Sequence, residues 1–190
     1  DWRAQNQVFE DMAAFFGQGF NLGASTEPDR VQGAAVSPRL FGILRVRPLI
    51  GRVFEQGDDS AESQSIAIIS SALWQRSFAA DPEIIGKPIK LNERDYTVVG
   101  VMPADFLFPN RRSEIWVPLK FSQNELSSRG SHSYQVLARL KPGVSIQQAQ
   151  TEMNSIAAQL ESQYQVNTGH GINVFSLYEE EVGSARPAIS

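Results

Sequence analysis

The clearest pattern of apolar and polar residues spans positions 134–178 and predicts a strand, a turn, a long helix and a second strand. Residues 134–140 begin with alternating apolar and polar side chains and are rich in strand-forming types. The Lys-Pro-Gly sequence at 141–143 is typical of a turn, and residues 172–178 alternate again. Since a helix that links two strands needs a sheet to lie on, the region predicts a β-α-β unit.

The helix of this unit has a capping box and one apolar face. Ser145 offers its side-chain oxygen to the first N–H groups of the helix, and Gln148 can reach back to Ser145. Apolar residues then recur every three or four positions, which places them on a single stripe. The members of this stripe are Ile146, Ala149, Met153, Ile156, Ala157, Leu160 and Tyr164. We predict that Met153, Ile156 and Leu160 are buried against a sheet.

The rest of the chain predicts shorter elements. The predicted helices are residues 1–12, with Trp2, Phe9 and Met12 buried, residues 38–44 after Ser37, a helix that opens at Ser70-Ser71 and continues through Phe78, and a short helical turn from Asp81-Pro82 to Gly86. The predicted strands cover residues 13–22, 31–36, 66–69, 89–91, 96–101 and 115–119. The first two strands form one hairpin, and residues 89–91 and 96–101 form another. Residues 54–65, 102–112 and 123–132 are predicted to be loops.

A change from long periodic segments to short strands and tight turns predicts two parts in an α+β fold. Residues 1–51 and 119–190 are expected to form one discontinuous subdomain, and residues 52–118 an inserted, smaller mixed α/β subdomain. The length of 190 residues and the hydrophobic content of 42% suit folded domains of this size. The net charge of −4 is mild, and Lys and Arg are scattered, which argues against nucleic acid as a partner.

A search for catalytic patterns finds none. The chain has no cysteine, and its two histidines, His132 and His170, lie in polar segments beside glycine, where solvated loop residues are expected. The sequence has no zinc-protease spacing, no nucleophile elbow and no phosphate-binding glycine loop. We therefore predict no catalytic residue, no cofactor-binding residue and no metal ligand, and we predict that the chain is not an enzyme.

Four weaker candidates have a simpler structural explanation. Glu55, Asp58 and Asp59 lack the spacing of a calcium loop, and the acidic run 179–181 is typical of a solvated surface. The pair Arg111-Arg112 suits an anionic partner or an ordinary surface turn. The last candidate is a set of aromatic residues that suits a ligand pocket but more often forms the core of a small domain. The members of this set are Trp74, Trp116, Phe106 and Phe108.

The order of short motifs along the chain resembles a known family. The motifs are VQGAAVSPRLF at 31–41, RPLIGRVF at 47–54, IISSALW at 68–74, DPEIIGK at 81–87, YTVVGVMP at 96–103, IWVPL at 115–119 and ARLKPGV at 138–144. Together they resemble the extracytoplasmic, periplasmic core domain of MacB-like ABC transporter permeases. The resemblance extends over residues 2–186, and its specificity comes from the order and spacing of the motifs.

This resemblance implies a non-catalytic periplasmic domain of a bacterial inner-membrane MacB/FtsX-like permease. The domain lies between two membrane helices and has a porter-like subdomain interrupted by an inserted one; Ser190 would precede the second membrane helix, and the usual first strand would precede residue 1. Its implied role is to couple cytoplasmic ATP hydrolysis to export or mechanotransmission. Its implied partners are the flanking transmembrane helices, a second permease copy, a cytoplasmic ATPase domain or subunit, and a periplasmic adaptor protein.

Two other function classes stay open from the residues themselves. A periplasmic ligand-binding or sensing module would need a deep apolar pocket between the subdomains. An enzyme would need a convergent polar constellation, and the sequence offers none. Because no large apolar stripe is left over for a permanent interface, we expect the isolated domain to be a monomer.

Overall fold

The eight strands and four helices of the fold form a mixed α+β arrangement in the part of the chain that the structure describes. The structure is a computed structural model, and it describes residues 2–23, 29–121, 134–163 and 171–177. The elements are α1 Trp2–Gln5, β1 Phe9–Leu22, β2 Asp29–Val36, α2 Leu40–Leu44, β3 Ile50–Gly51, β4 Ile66–Ser70, α3 Ser71–Phe78, β5 Pro88–Leu91, β6 Arg94–Met102, β7 Ser113–Pro118, β8 Gln135–Leu140 and α4 Ile146–Gln163.

The strands form a single mixed sheet in the order β2-β7-β4-β6-β5-β1-β8, and β3 pairs with β6. The pairs β2–β7 and β4–β6 are parallel, whereas β4–β7 and β5–β6 are antiparallel. Strand β1 also pairs with β2, so the hydrogen-bonded path from β2 through β7, β4, β6, β5 and β1 returns to β2. Strand β5 meets β1 at Leu22 and Leu91, beside the bond from Gly23 N–H to the Lys90 carbonyl.

Both predicted hairpins are confirmed. Strands β1 and β2 are antiparallel from the pair Phe15 and Val36 to the pair Leu22 and Asp29. Strands β5 and β6 are joined by Asn92 and Glu93, whose φ angles of 47° and 67° are both positive. Two successive positive φ angles match the right-handed twist of the flanking strands, which favours this two-residue turn.

Two apolar clusters cover opposite faces of the strands. Along β7, Ile115 and Val117 belong to the first cluster and Trp116 belongs to the second. Helix α3 contributes Leu73 to the first cluster, and helix α2 contributes Leu40, Phe41 and Ile43 to the second. Because successive side chains of a strand point to opposite faces, each of these strands is packed on both sides. This arrangement explains why β4 consists of five buried residues in a row.

The predicted helix is confirmed as α4, together with its capping box. Ser145 N–H donates to Gln148 Oε1 over 2.8 Å, and Gln148 N–H donates to Ser145 Oγ over 3.2 Å. The buried residues of this helix are Ala149, Met153, Ile156 and Leu160, as the apolar stripe predicts. Helix α1 packs beside α4, and Gln7 N–H donates to the carboxylate of Glu152.

Contacts within the chain define two compact units, one of residues 12–137 and the other of residues 1–11 and 138–190. These boundaries differ from the predicted division at 51/52 and 118/119. Strand β2 pairs with β7 and strand β3 pairs with β6, so the two predicted parts share one sheet. The proposal that residues 52–118 form a separate inserted subdomain stays a prediction.

The second strand of the predicted β-α-β unit is wrong for residues 172–177, and Tyr178 lies outside the described residues. These residues alternate between half-buried and exposed, as the pattern predicts, yet within the described residues no strand pairs with them. The reason lies in α4. The side-chain amide of Gln150 bonds to the backbone at Ile172 and Val174 and takes the place of a neighbouring strand.

The predicted helix over residues 1–12 is also wrong beyond Gln5. Asn6 accepts from Phe9 N–H with its side chain over 3.1 Å and donates to the Trp2 carbonyl, which ends the helix. The chain then enters β1, where Phe9 and Met12 are buried as predicted. Ser37 does not cap α2: its hydroxyl accepts from Ala14 N–H of β1, and α2 begins at Leu40.

Candidate functional site

The acidic loop of residues 54–65 is held by an ion pair. The Asp58 carboxylate accepts hydrogen bonds from Arg52 Nη1 over 2.6 Å and from Glu55 N–H over 2.8 Å. Ser63 Oγ donates to the Asp58 backbone carbonyl over 2.6 Å. Burial opposes ionisation of Asp58. The bonds from Arg52 and Glu55 and the charges of Arg52 and Lys120 outweigh it and lower the pKa of Asp58. The carboxylate is therefore engaged by protein donors.

A lysine from beyond β7 fixes the other end of this loop. Lys120 Nζ donates to the Ser63 carbonyl over 2.6 Å and lies 3.4 Å from the Gln64 carbonyl. Gln64 in turn donates to the Thr97 hydroxyl of β6 over 3.0 Å. These bonds from Arg52, Lys120 and the loop's own groups hold the loop in place. The absence of metal ligands at Glu55, Asp58 and Asp59 stays a prediction.

The aromatic residues considered for a ligand pocket pack into the core. Trp116 is fully buried, and its indole N–H donates to the Phe108 carbonyl over 2.8 Å. Its ring lies 5.0 Å from the ring of Phe106, and the Phe106 ring lies 5.8 Å from that of Phe41. Trp74 belongs to the other cluster and donates to the Asp81 carbonyl over 2.9 Å. These contacts show the aromatic side chains packing with the two apolar clusters.

The charged pairs on the surface are structural. Arg76 makes a two-pronged ion pair with Glu114 over 2.9 and 3.0 Å and lies 3.8 Å from Asp29. The bond from Lys87 Nζ at 2.5 Å, reinforced by Glu83 N–H, lowers the pKa of Asp81. Exposed ion pairs of this kind contribute little to the free energy of unfolding. Here they orient α3, through Arg76, and the turn before β5, through Asp81 and Lys87.

Of the remaining sequence candidates, the structure describes the pair Arg111-Arg112. Arg111 and Arg112 are exposed in a turn, where Arg112 N–H donates to the Asn110 side chain. His132, His170 and the acidic run 179–181 lie outside the described residues. Among the described residues, no three His, Cys, Asp or Glu side chains gather as a metal site would require. None of the described helices is both long enough and apolar enough to cross a membrane.

Two features of the surface are not predictable from the sequence pattern. The first is a set of exposed apolar side chains, of which Leu49 and Ile85 are 56% and 38% exposed. The end of the Ile85 side chain lies close to Gly51, which is two residues along the chain from Leu49. Neither residue lies on a periodic segment, so no pattern could single them out. The second feature is Gln150, which looks like any polar residue on the outer face of a helix.

Comparisons with known proteins agree with this geometry. The family model of the MacB-like periplasmic core domain matches residues 1–156. The fold is similar to the periplasmic region of MacB from Actinobacillus actinomycetemcomitans, with a TM-score of 0.69, 12% identity and coverage of 97% of this chain and 80% of that one. A comparison with curated proteins gave no match.

Two further crystal structures share the fold. The extracellular domain of the noncanonical ABC-type transporter YknZ from Gram-positive bacteria has a TM-score of 0.58 and 18% identity, with coverage of 82% of this chain and 76% of that one. A permease domain from Porphyromonas gingivalis has a TM-score of 0.63 and 16% identity, with coverage of 86% and 74%. Because the family model spans most of the sequence, the chain belongs to the MacB-like periplasmic core domain family and is the extracytoplasmic domain of an ABC-type permease.

Proposed function

We propose that this domain is a mechanical relay that couples cytoplasmic ATP hydrolysis to events outside the membrane and has no catalytic role of its own. The observation that carries the proposal is the strand path of the unit 12–137, which returns to its first strand and is packed on both faces. Protein interiors packed in this way have low compressibility and transmit strain. A movement applied to one strand of this unit therefore moves the others.

The proposal includes partners on both sides of the domain. Membrane helices of the same permease supply the movement, an ATPase domain or subunit drives it, and a second permease copy stands beside the first. A periplasmic adaptor protein is the expected recipient of the movement. The exposed side chains of Leu49 and Ile85 support a docking role, since exposed apolar groups favour protein contacts.

We further propose that the two compact units have different roles. The unit with α4 is the porter-like part, and the unit 12–137 carries the inserted part that the family resemblance implies. The basis is that α4 with its capping box belongs to the first unit, whereas the packed strand path belongs to the second.

Flexible insertions test the relay in the full permease with its ATPase. A Gly-Ser segment is placed between the domain and each flanking membrane helix, and ATP hydrolysis and export are measured. We expect hydrolysis to persist and export to be lost, because a flexible linker does not transmit force. The control carries the same segment between Ala61 and Glu62, both exposed in the acidic loop, and should keep both activities. Export that survives the flanking insertions would contradict the relay.

A further inference from the structure

The amide of Gln150 joins helix α4 to the segment of residues 171–177. Gln150 Nε2 donates to the Ile172 carbonyl over 2.7 Å, and Gln150 Oε1 accepts from Val174 N–H over 2.8 Å. In an extended segment, the carbonyl of one residue and the N–H two residues later point to the same side. One side chain therefore satisfies the two backbone groups that a residue of a parallel strand would satisfy.

A neighbour on α4 orients this amide. Gln150 Nε2 also donates to Asn154 Oδ1 over 2.7 Å, one helical turn further along α4. A glutamine amide has two N–H donors, and here both are used. Because Asn154 fixes the nitrogen end, the oxygen end is turned toward Val174. The bond to Asn154 thus holds the amide in the one orientation that allows both backbone bonds.

The packing of the segment agrees with a defined position. Ile172, Val174 and Ser176 are half-buried, whereas the side chain of Phe175 is 72% exposed. Alternation of this kind shows one side of the segment turned toward the protein. On that side the two bonds of Gln150 tie the backbone of the segment to α4.

We propose that Gln150 is a positioning residue that clasps residues 171–177 to α4, and that this clasp passes movement of the following chain to the domain. The second part rests on the relay function proposed above, whereas the clasp itself does not. Movement at the end of the segment pulls on Ile172 and Val174, and through Gln150 it pulls on α4. Without the clasp, the segment would move alone.

The clasp is tested first in the 190-residue chain by hydrogen exchange of the Val174 amide. Gln150→Leu keeps the approximate size of the side chain and removes both bonds, so we expect exchange at Val174 to become about tenfold faster, the effect of losing roughly one net hydrogen bond. Asn154→Ala should give a smaller acceleration, because it removes only the orienting bond. Gln159→Leu, an exposed glutamine on the same helix, is the control and should leave Val174 unchanged. Equal exchange in Gln150→Leu and Gln159→Leu would overturn the clasp.

The coupling role is tested in the full permease with the same variants. We expect Gln150→Leu to keep ATP hydrolysis and the abundance of the permease while export falls, and we expect Gln159→Leu to keep all three. If Val174 exchanges faster but export is unchanged, the clasp exists but carries no movement. The relay function itself is judged separately by the flanking insertions, so the two failures are distinguishable.

Discussion

Gly33 lies at the closest approach of β2 to β7, and its replacement by alanine tests the packing of the sheet. A β-carbon at this position would lie well inside van der Waals contact of the Ile115 carbonyl oxygen and 2.8 Å from Phe20 Cε2. The carbonyl belongs to the backbone of β7, which pairs with β2 on this side, so it cannot rotate away as a side chain would. The two strands must separate, or Phe20 must leave the first cluster.

The size of the effect follows from these contacts. Overpacking typically costs about 1–3 kcal/mol, and a backbone obstacle places Gly33→Ala at the upper end, about 3 kcal/mol. For a chain of this length, a loss of about 3 kcal/mol lowers the melting temperature by roughly 6–12 °C. The control is Gly17→Ala in β1, where no atom lies within 4 Å of the added carbon. Since glycine is less favourable than alanine inside a strand by roughly 0.5–1 kcal/mol, the control should be as stable as the parent or slightly more so.

Urea unfolding, followed by the fluorescence of the tryptophans, measures both variants. Trp116 is fully buried in the second cluster, so its emission reports loss of that packing. We expect Gly33→Ala to unfold at clearly lower urea with an unchanged slope, and Gly17→Ala to unfold with the parent. A free energy of unfolding for Gly33→Ala within about 0.5 kcal/mol of the parent would show that β2 and β7 are not packed as described.

The remaining predictions concern the helix, the acidic loop and metal ions. Leu160→Ala on the buried side of α4 should lower the free energy of unfolding by about 2–5 kcal/mol in urea unfolding, whereas Gln159→Ala on the exposed side should change it by less than about 0.5 kcal/mol. Equal values for the two variants would show that Leu160 is not on the buried face. Because the pKa of Asp58 is lowered in the folded protein, its ionised carboxylate stabilises the fold at pH values above the ordinary aspartate pKa of about 4. This stabilisation is lost as the pH falls through the lowered pKa of the folded protein. Asp58→Asn should thus be less stable than the parent at neutral pH, with the difference shrinking in acid; a difference unchanged in acid would refute this. A chelator should leave the melting temperature unchanged, and a shift of several degrees that one divalent ion restores would reveal a structural metal site.

Local patterns predicted those elements whose partners are close in sequence or whose apolar faces are complete. The Ser145 and Gln148 capping box, the stripe on α4 and the turn at Asn92 and Glu93 each depend on a few neighbouring residues. The spacing of Phe9 and Met12 along the sequence suits one turn of a helix as well as it suits the strand β1 that these residues form. Here the choice depends on Asn6, whose side chain ends α1, and on a strand partner far away in the chain.

The other two errors share a cause, which is competition for hydrogen bonds by groups distant in the sequence. Residues 172–177 have the alternation of a strand, but the partner of Ile172 and Val174 is the side chain of Gln150. Ser37 has the setting of a helix cap, but its hydroxyl serves Ala14 of β1. For the candidate site, the sequence indicated correctly that Phe106 and Trp116 suit a core. It could not indicate that Leu49 and Ile85 are exposed, because the exposure of a single apolar residue depends on how distant segments pack.

The relay is tested most directly by distances measured between spin labels in the full permease during ATP turnover. These 190 residues contain no cysteine, so in a permease freed of any other cysteines labels can be placed at introduced ones, such as Asp59→Cys and Glu83→Cys on exposed positions of the unit 12–137. With both labels in one copy, we expect the distance to stay the same with and without ATP. With one label in each of two copies, we expect the distance to change with the nucleotide. A distance within one copy that changes with ATP, or a distance between copies that does not, would contradict a stiff domain moved by the ATPase.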